Sequence, residues 1–284
     1  MSIDPQTPDI GRIGVWRRVA GLTPEFARAV ERLGYGTLWI GISPPADLAV
    51  AEQMLDATTT LTVATGITNI WSSPAAEVAE SFHRLEDRHP GRFLLGVGAG
   101  HRESSAEVYA KPYQAVVAYL DELDAAGVPA GRRVLAALGP KMLRLAADRA
   151  AGAHPYLTTP EHTREARELL GPAPLLAAEH KVVLDPDPVA ARVAGRPLVT
   201  PYLNRRNYLA NLARLGFTAD ELADGGSDRV IDALVAHGDA PSIAARLTEH
   251  LDAGANHVAV QVLPYDRDEV PALAALAESP ALRG

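Results

Sequence analysis

One pattern of apolar and polar positions recurs along the chain: an amphipathic stretch, a glycine or Ala-Gly stop, then a short apolar run. It spans Glu31–Ile40 and returns at Leu123–Ala137, Arg149–Tyr156 and Leu251–Val262. Glycine just past a helix end takes up the left-handed conformation that residues with a Cβ resist. The apolar runs predict strands near 12–16, 36–41, 61–67, 93–98, 133–137, 153–156, 180–184 and 257–263. Helices fill most of the intervals, with Thr23 and Pro24 fitting a cap and first helical residue. Strands alternating with helices at this spacing imply right-handed βαβ units and a parallel sheet. About eight such units predict an α/β fold closed as a TIM (β/α)8 barrel. A doubly wound open sheet is the runner-up. The stretch 199–240 breaks the rhythm and reads as helices inserted before the last strand. Without a low-complexity linker, residues 1–284 read as one domain.

Composition narrows the function classes. The 284 residues are 47% apolar with a net charge of −8, as in an acidic protein with a full core. The arginine pairs Arg17-Arg18, Arg132-Arg133 and Arg205-Arg206 are isolated, so no nucleic-acid patch is expected. There is no cysteine, which excludes disulfides, thiol nucleophiles and thiolate metal sites. The N-terminal residues lack the charged flank and apolar core of a signal peptide, and no apolar run is long enough to span a bilayer. A cytoplasmic protein without membrane or nucleic-acid partners is expected.

In a barrel, chemistry sits at the C-terminal strand ends. Here those ends read Trp16-Arg17, Gly41 to Ser43, Thr65 to Asn69, Gly98 to His101, Leu138 to Lys141, His154 to Tyr156, and Gln261. Few are carboxylates, which argues against a paired-carboxylate hydrolase. Glycines and hydroxyls dominate, and these suit a flat, partly anionic cofactor. Gly96, Gly98 and Gly100 are spaced by two and followed by His101, so the dinucleotide fingerprint fails. Leu138, Gly139, Pro140 and Lys141 form a glycine turn that feeds a helix N-terminus, the best candidate for holding a phosphate. An ordinary connection with proline at the first helical position is the plainer alternative. His101 is the strongest acid/base candidate because imidazole titrates near neutral pH. His154 either lines the pocket or satisfies core hydrogen bonds. His257 reads as structural, and His83 and His89 as surface groups. No HExxH, GxSxG or P-loop motif occurs, so metal and nucleophilic-serine chemistry are disfavoured and no metal is expected.

The order and spacing of the glycine-rich strand ends resemble the luciferase-like (bacterial luciferase) superfamily, in its branch that uses the deazaflavin coenzyme F420. The landmarks are Leu38–Gly41, Thr62–Trp71, Arg92–Gly100, Ala136–Ala146, Gly152–Tyr156 and Ala253–Val260, across nearly the whole chain. The resemblance implies a TIM barrel with the cofactor ring across its C-terminal mouth. It implies a cis peptide at Gly66-Ile67 against the ring. Thr68 and Asn69 would then bond the ring or its pyrimidine edge. It assigns the Gly98–Ser104 loop, with Gly100 and His101, to the ring's flank, and Leu138–Lys141 to the cofactor phosphate. Trp16, Ser43, Trp71 and His154 would line the substrate pocket. The chain departs from the branch after the second strand, where Gly41-Ile42-Ser43 offers no acid or base.

These readings lead to an F420-dependent oxidoreductase that passes a hydride between cofactor C5 and a small organic substrate, with His101 managing the proton. An FMN-dependent monooxygenase component using reduced flavin and oxygen is the nearest rival. A non-catalytic cofactor-binding barrel is the rival from another class. Many members of the superfamily are dimers, so a homodimer is expected.

Overall fold

The computed structural model describes residues 7–101 and 110–282. Eight parallel strand positions close into a barrel with helices outside it. The strands are β1 (Ile13–Arg18), β2 (Thr37–Gly41), β3 (Thr62–Gly66) with its short continuation β4 (Thr68–Asn69), β5 (Phe93–Gly98), β6 (Arg133–Leu135), β7 (Gly152–Ala153), β8 (Leu175–Val183) and β10 (His257–Val262). Closure comes from β10, which pairs with β1 on one side (Val15 opposite Val260) and with β8 on the other (Gln261 opposite Lys181). The open-sheet alternative is thereby excluded.

Two elements differ from the sequence reading. The strand expected at 180–184 is β8, nine residues long and buried throughout. Glu179, His180 and Lys181 interrupt its apolar run, and that break hid its first half. Within 199–240 the expected helices are present as α8 (Arg206–Arg214), α9 (Ala219–Leu222) and α10 (Asp228–Leu234). A further strand, β9 (Val235–His237), follows α10 and adds to the edge of β8. It lies outside the closed ring.

The outer helices start where local chemistry dictates. In α1 (Pro24–Arg32) the Thr23 side chain accepts from the Phe26 N–H, with proline at the first helical position. Thr159 caps α6 (Pro160–Leu170) and Asp239 caps α11 (Ala240–Asp252) in the same way. One large apolar cluster lies between the strands and these helices, running from Ile13 to Leu282. A second sits beneath α8 to α10. The third fills the lumen, where Trp16 and Trp39 are surrounded by small residues such as Ala64, Ala177 and Ala259.

Two polar devices hold the barrel where backbone pairing is sparse. The Thr65 hydroxyl donates to the Gly96 carbonyl and accepts from the Gly96 N–H, both at 2.8 Å, binding β3 to β5 beyond their backbone register. A Cβ at Gly96 would lie 1.9 Å from the Thr65 carbonyl oxygen, so only glycine fits. Below the barrel, one Glu31 carboxylate oxygen accepts from the N–H groups of Thr59, Thr60 and Leu61 at 2.7–3.1 Å. These donors outweigh the opposing cost of desolvation and hold the Glu31 carboxyl at about 2, below the ordinary 4.5.

A depressed carboxylate stabilises the fold above its unfolded value and loses that contribution as pH falls through the folded one. Glu31→Ala should therefore cost about 1–3 kcal/mol at neutral pH. The difference from wild type should shrink as pH falls from 4.5 towards 2 in urea titrations. A cost unchanged at low pH would show that Glu31 acts by packing alone.

Candidate functional site

The C-terminal strand ends enclose a cavity of about 580 Å³. Its floor is made by β1 to β3. Trp16, buried on β1, lies against Gly41 and Gly66: a Cβ at those positions would come within 2.1 Å and 2.8 Å of the indole. The missing side chain after β2 is thus replaced by the indole of Trp16. Ile42 and Ser43 follow at the rim with φ of 62° and 38°. For a β-branched residue such as Ile42 that conformation is strained, and strain of this kind gathers at functional sites. The Gly66-Ile67 peptide is cis, as the resemblance implied, and both residues line the cavity.

Asn69 lines the cavity and accepts from the Trp71 N–H through its side-chain oxygen at 3.0 Å. Its Nδ2 sits where a Cβ at Gly100 (φ +59°) would lie 2.8 Å away, so that turn requires glycine. Gly100 and His101 complete this wall. The His101 ring stands edge-on to Tyr202 (centroids 5.8 Å apart, 84°) and 5.5 Å from Tyr208. Residues 102–104 of the expected Gly98–Ser104 loop lie outside the described residues.

The opposite wall is Leu138, Gly139 and Lys141, entering α5 (Pro140–Arg149). Gly139 is the N-cap and supplies no capping side chain. A Cβ there would meet nothing within 4 Å, so the turn is uncrowded on that side. The Lys141 ammonium is exposed beside it.

His154 lines the cavity from below, 2% exposed, and stacks on Trp39 with ring centroids 4.0 Å apart. Its Nδ1 lies 2.8 Å from the Ala177 carbonyl, which fixes the proton on Nδ1. Burial pushes the ring down to about 3, so it is neutral. His154 Nε2 and Trp16 Nε1 both flank Gly66 and neither has a hydrogen-bond partner. An acceptor and a donor thus stand side by side beneath the cavity floor. His257 is structural, as expected: its Nε2 accepts from Trp39 Nε1 at 3.0 Å and its Nδ1 donates to the Gly11 carbonyl at 2.8 Å.

Four candidate residues do not line the cavity. The Trp71 indole turns to donate to the Ala99 carbonyl at 2.8 Å, tying the β4 turn to the β5 loop. Thr68 is buried and opposite Val97 in the sheet. Gly98 leaves room for Ala136 Cβ, which would be 2.7 Å from a Cβ of its own. Pro140 only begins α5.

The sequence reading named Tyr156 only as part of a strand end and Arg205 only in an isolated pair, and gave no site role to the wall residues Tyr156 after β7 and Tyr202, Arg205, Asn207 and Tyr208 from the inserted segment. Tyr202 is their hub, with ring centroids 5.4 Å from Tyr156 and 5.0 Å from Tyr208. The Arg205 guanidinium lies over the Tyr202 ring at 4.5 Å. Beneath them the buried Glu179 and Lys181 pair at 3.0 Å, and the Lys181 ammonium sits 3.9 Å from the Tyr156 ring centroid. Tyr156 donates to Gln261 Oε1 at 3.0 Å. The aromatic run Tyr202 to Tyr208 was the available signal, but nothing in the sequence shows that it folds back over the mouth.

With this geometry in view, comparison with known proteins is informative. Residues 12–126 match the family described as luciferase-like monooxygenase. The likeness to that family covers this segment, less than half of the chain. The segment contains the Gly66-Ile67 floor, Asn69 and His101, and ends before the Gly139 turn and the tyrosine wall. No curated protein matches the sequence. Among solved structures, an F420-dependent secondary alcohol dehydrogenase in complex with an F420–acetone adduct is similar with a TM-score of 0.75 and 18% identity, over 96% of this chain and 99% of that one. The coenzyme F420-dependent tetrahydromethanopterin reductase from Methanopyrus kandleri gives 0.74 and 17%, over 94% and 97%. The FMN-bound oxygenating constituent of 3,6-diketocamphane monooxygenase from Pseudomonas putida, a type II Baeyer–Villiger monooxygenase, gives 0.69 and 13%, over 94% and 96%. At these identities the likeness establishes the shared barrel. Among the described residues no group of acidic and histidine side chains is placed to hold a metal, and no helix is long and apolar enough to cross a membrane.

The two lumen histidines of this barrel carry a prediction. Burial depresses His154 to about 3 and His257 to about 4, below the ordinary 6.5. The unfolded chain takes up protons that the folded one refuses, so stability falls as pH drops from 6.5 through this range. ¹⁵N spectra of the imidazoles should show both rings as the neutral Nδ1–H tautomer from pH 5 to 8, about the span over which an ordinary histidine titrates. An imidazolium signal within that window would contradict the assignment.

Proposed function

We propose that this protein is an oxidoreductase that transfers a hydride between coenzyme F420 and a small organic substrate held in the cavity at the barrel mouth. The observation that carries the reading is the pairing of a flat-floored cavity with an anion-ready turn. Gly66 and the flat indole of Trp16 lie at the floor beside Ile67, and the Gly139 turn presents a helix start without a side-chain cap, with Lys141 at the wall. That donor set suits a planar ring carrying a phosphate arm. Two of the structural neighbours are F420-dependent enzymes and another binds FMN, so both cofactors are compatible with the barrel.

When bound, F420 supplies the carbon that gives or takes the hydride. The chain's own residues do the rest. Gly139 and Lys141 would hold the phosphate through backbone N–H groups and the ammonium. Asn69, fixed by its bond to the Trp71 N–H, would present Nδ2 to the ring edge. His101, set among Tyr202 and Tyr208, would hold or deliver the proton that accompanies hydride transfer. The tyrosine wall limits water at that end of the cavity.

A second reading, an FMN-dependent monooxygenase component, is favoured by the family matched over residues 12–126 and by the FMN-bound neighbour. Fluorescence titration with F420 and FMN in parallel separates the two. F420 should bind at micromolar concentration or tighter and at least about tenfold more tightly than FMN, a difference of about 1.4 kcal/mol. Lys141→Ala should weaken F420 about tenfold, the worth of one charge-assisted contact. Preference for FMN, with oxygen consumed when the reduced flavin is supplied, would establish the monooxygenase reading.

His101→Ala should lower turnover with reduced F420 by about 10²–10⁴-fold. Its F420 affinity should stay within a factor of about three of wild type, a change under 1 kcal/mol. Undiminished turnover would remove His101 from proton transfer.

A further inference from the structure

The cavity wall contains a second cation that cofactor anchoring does not use. Arg205 caps the start of α8 and lines the cavity, half-buried, with its guanidinium 4.5 Å over the Tyr202 ring. It forms no ion pair among the described residues, whereas twelve of the 22 described arginines do. Stacking occupies the face of a guanidinium and leaves its N–H fork in the ring plane, available to a bidentate oxyanion. Glu179, the nearest buried carboxylate of this region, is compensated by Lys181 and accepts the Leu157 N–H.

The two cations also differ in setting. Lys141 stands beside a helix end after β6, whereas Arg205 belongs to the segment after β8 and rests on the ring that faces His101 edge-on. Its charge therefore lies at the acid/base end of the cavity. Tyr156, Tyr202 and Tyr208 surround that end with flat apolar faces.

We propose that Arg205 anchors the substrate by a carboxylate, and that the substrate class is an organic acid with a flat, apolar or aromatic body. This rests on the oxidoreductase reading for what happens to the acid once bound, but not for its binding. Asn207, on the same segment and also in the wall, is placed to take part in orienting it. The shared chemistry is an anion on a guanidinium, and the other possible source of that anion is an acidic arm of the cofactor.

Calorimetric titration of the full chain with cinnamate and with cinnamamide tests this, since the two share a shape and differ in charge. Wild type should bind cinnamate at least about fivefold more tightly, and rising salt should narrow the gap. Arg205→Met should erase that preference and leave F420 affinity within about twofold, while Arg205→Lys should keep part of it. Equal binding of both probes by wild type overturns the proposal, whether or not the variants fold. So does an Arg205→Met protein that keeps the cinnamate preference but loses F420 affinity, which assigns the guanidinium to the cofactor arm. A cinnamate preference that needs Arg205 in a protein that binds no F420 upholds the anchor and sinks the cofactor reading instead.

Discussion

Closure of the sheet through β10 is the constraint on which the other features depend. β10 pairs in parallel with both β1 and β8, as every other neighbouring pair does, so the strands run in one direction and closure tilts them together around the ring. All the strand C-termini then meet at one mouth. Gly66, His101, Gly139 and Tyr156, spread over ninety positions of the sequence, become walls of one cavity only because the ring is shut. The opposite end is locked by polar bonds rather than opened to ligand. There the Arg92 guanidinium donates to the carbonyls of Leu55, Thr58 and Leu61, next to the Glu31 clasp.

Closure also creates a lumen that must be filled, and this chain fills it with polar aromatics. Trp39 stacks on His154 and donates to His257, which in turn donates to Gly11. A Cβ at Gly14 would lie 2.7 Å from the His257 ring, so the small residue and the large one occupy one space. The bond from Trp39 to His257 Nε2 needs a neutral imidazole, and burial supplies it. The outcome is a rigid post standing from the barrel bottom to the floor of the cavity. Its upper surface, His154 Nε2 beside Trp16 Nε1, is the one part left without protein partners.

Periodicity made the barrel legible because each helix-glycine-strand unit repeats the same signal locally. It failed where burial and polarity part company. In β8 the Glu179–Lys181 pair sits in a fully buried strand, and a pattern-based reading takes charged residues as solvent-facing. β9 follows α10 without a glycine or proline to mark the change. The cavity divides in the same way. Glycines and His101 were readable at strand ends because backbone demands are local. Tyr202, Arg205 and Tyr208 were not, because their place over the mouth is decided by the second apolar cluster beneath α8 to α10. Trp71 misled for a related reason: its indole has a nearby backbone acceptor, Ala99, that turns it away from the cavity.

The electrostatics of the mouth run against those of the whole chain. The protein carries a net charge of −8, which at a distance repels anions. Among the described residues, however, the cavity wall holds Lys141 and Arg205 and no carboxylate. Glu179 could have cancelled them, but with Lys181 beside it that charge is compensated within the barrel. Screening reduces the long-range repulsion over about 8–10 Å in physiological salt, whereas contacts inside a partly dry cavity persist. The acidic surface therefore slows the approach of any anion, and the wall offers close partners only at the helix end and at the guanidinium. The buried ion pair, costly in itself, holds the Glu179 charge within the barrel, beneath the tyrosines and away from the role of a wall carboxylate.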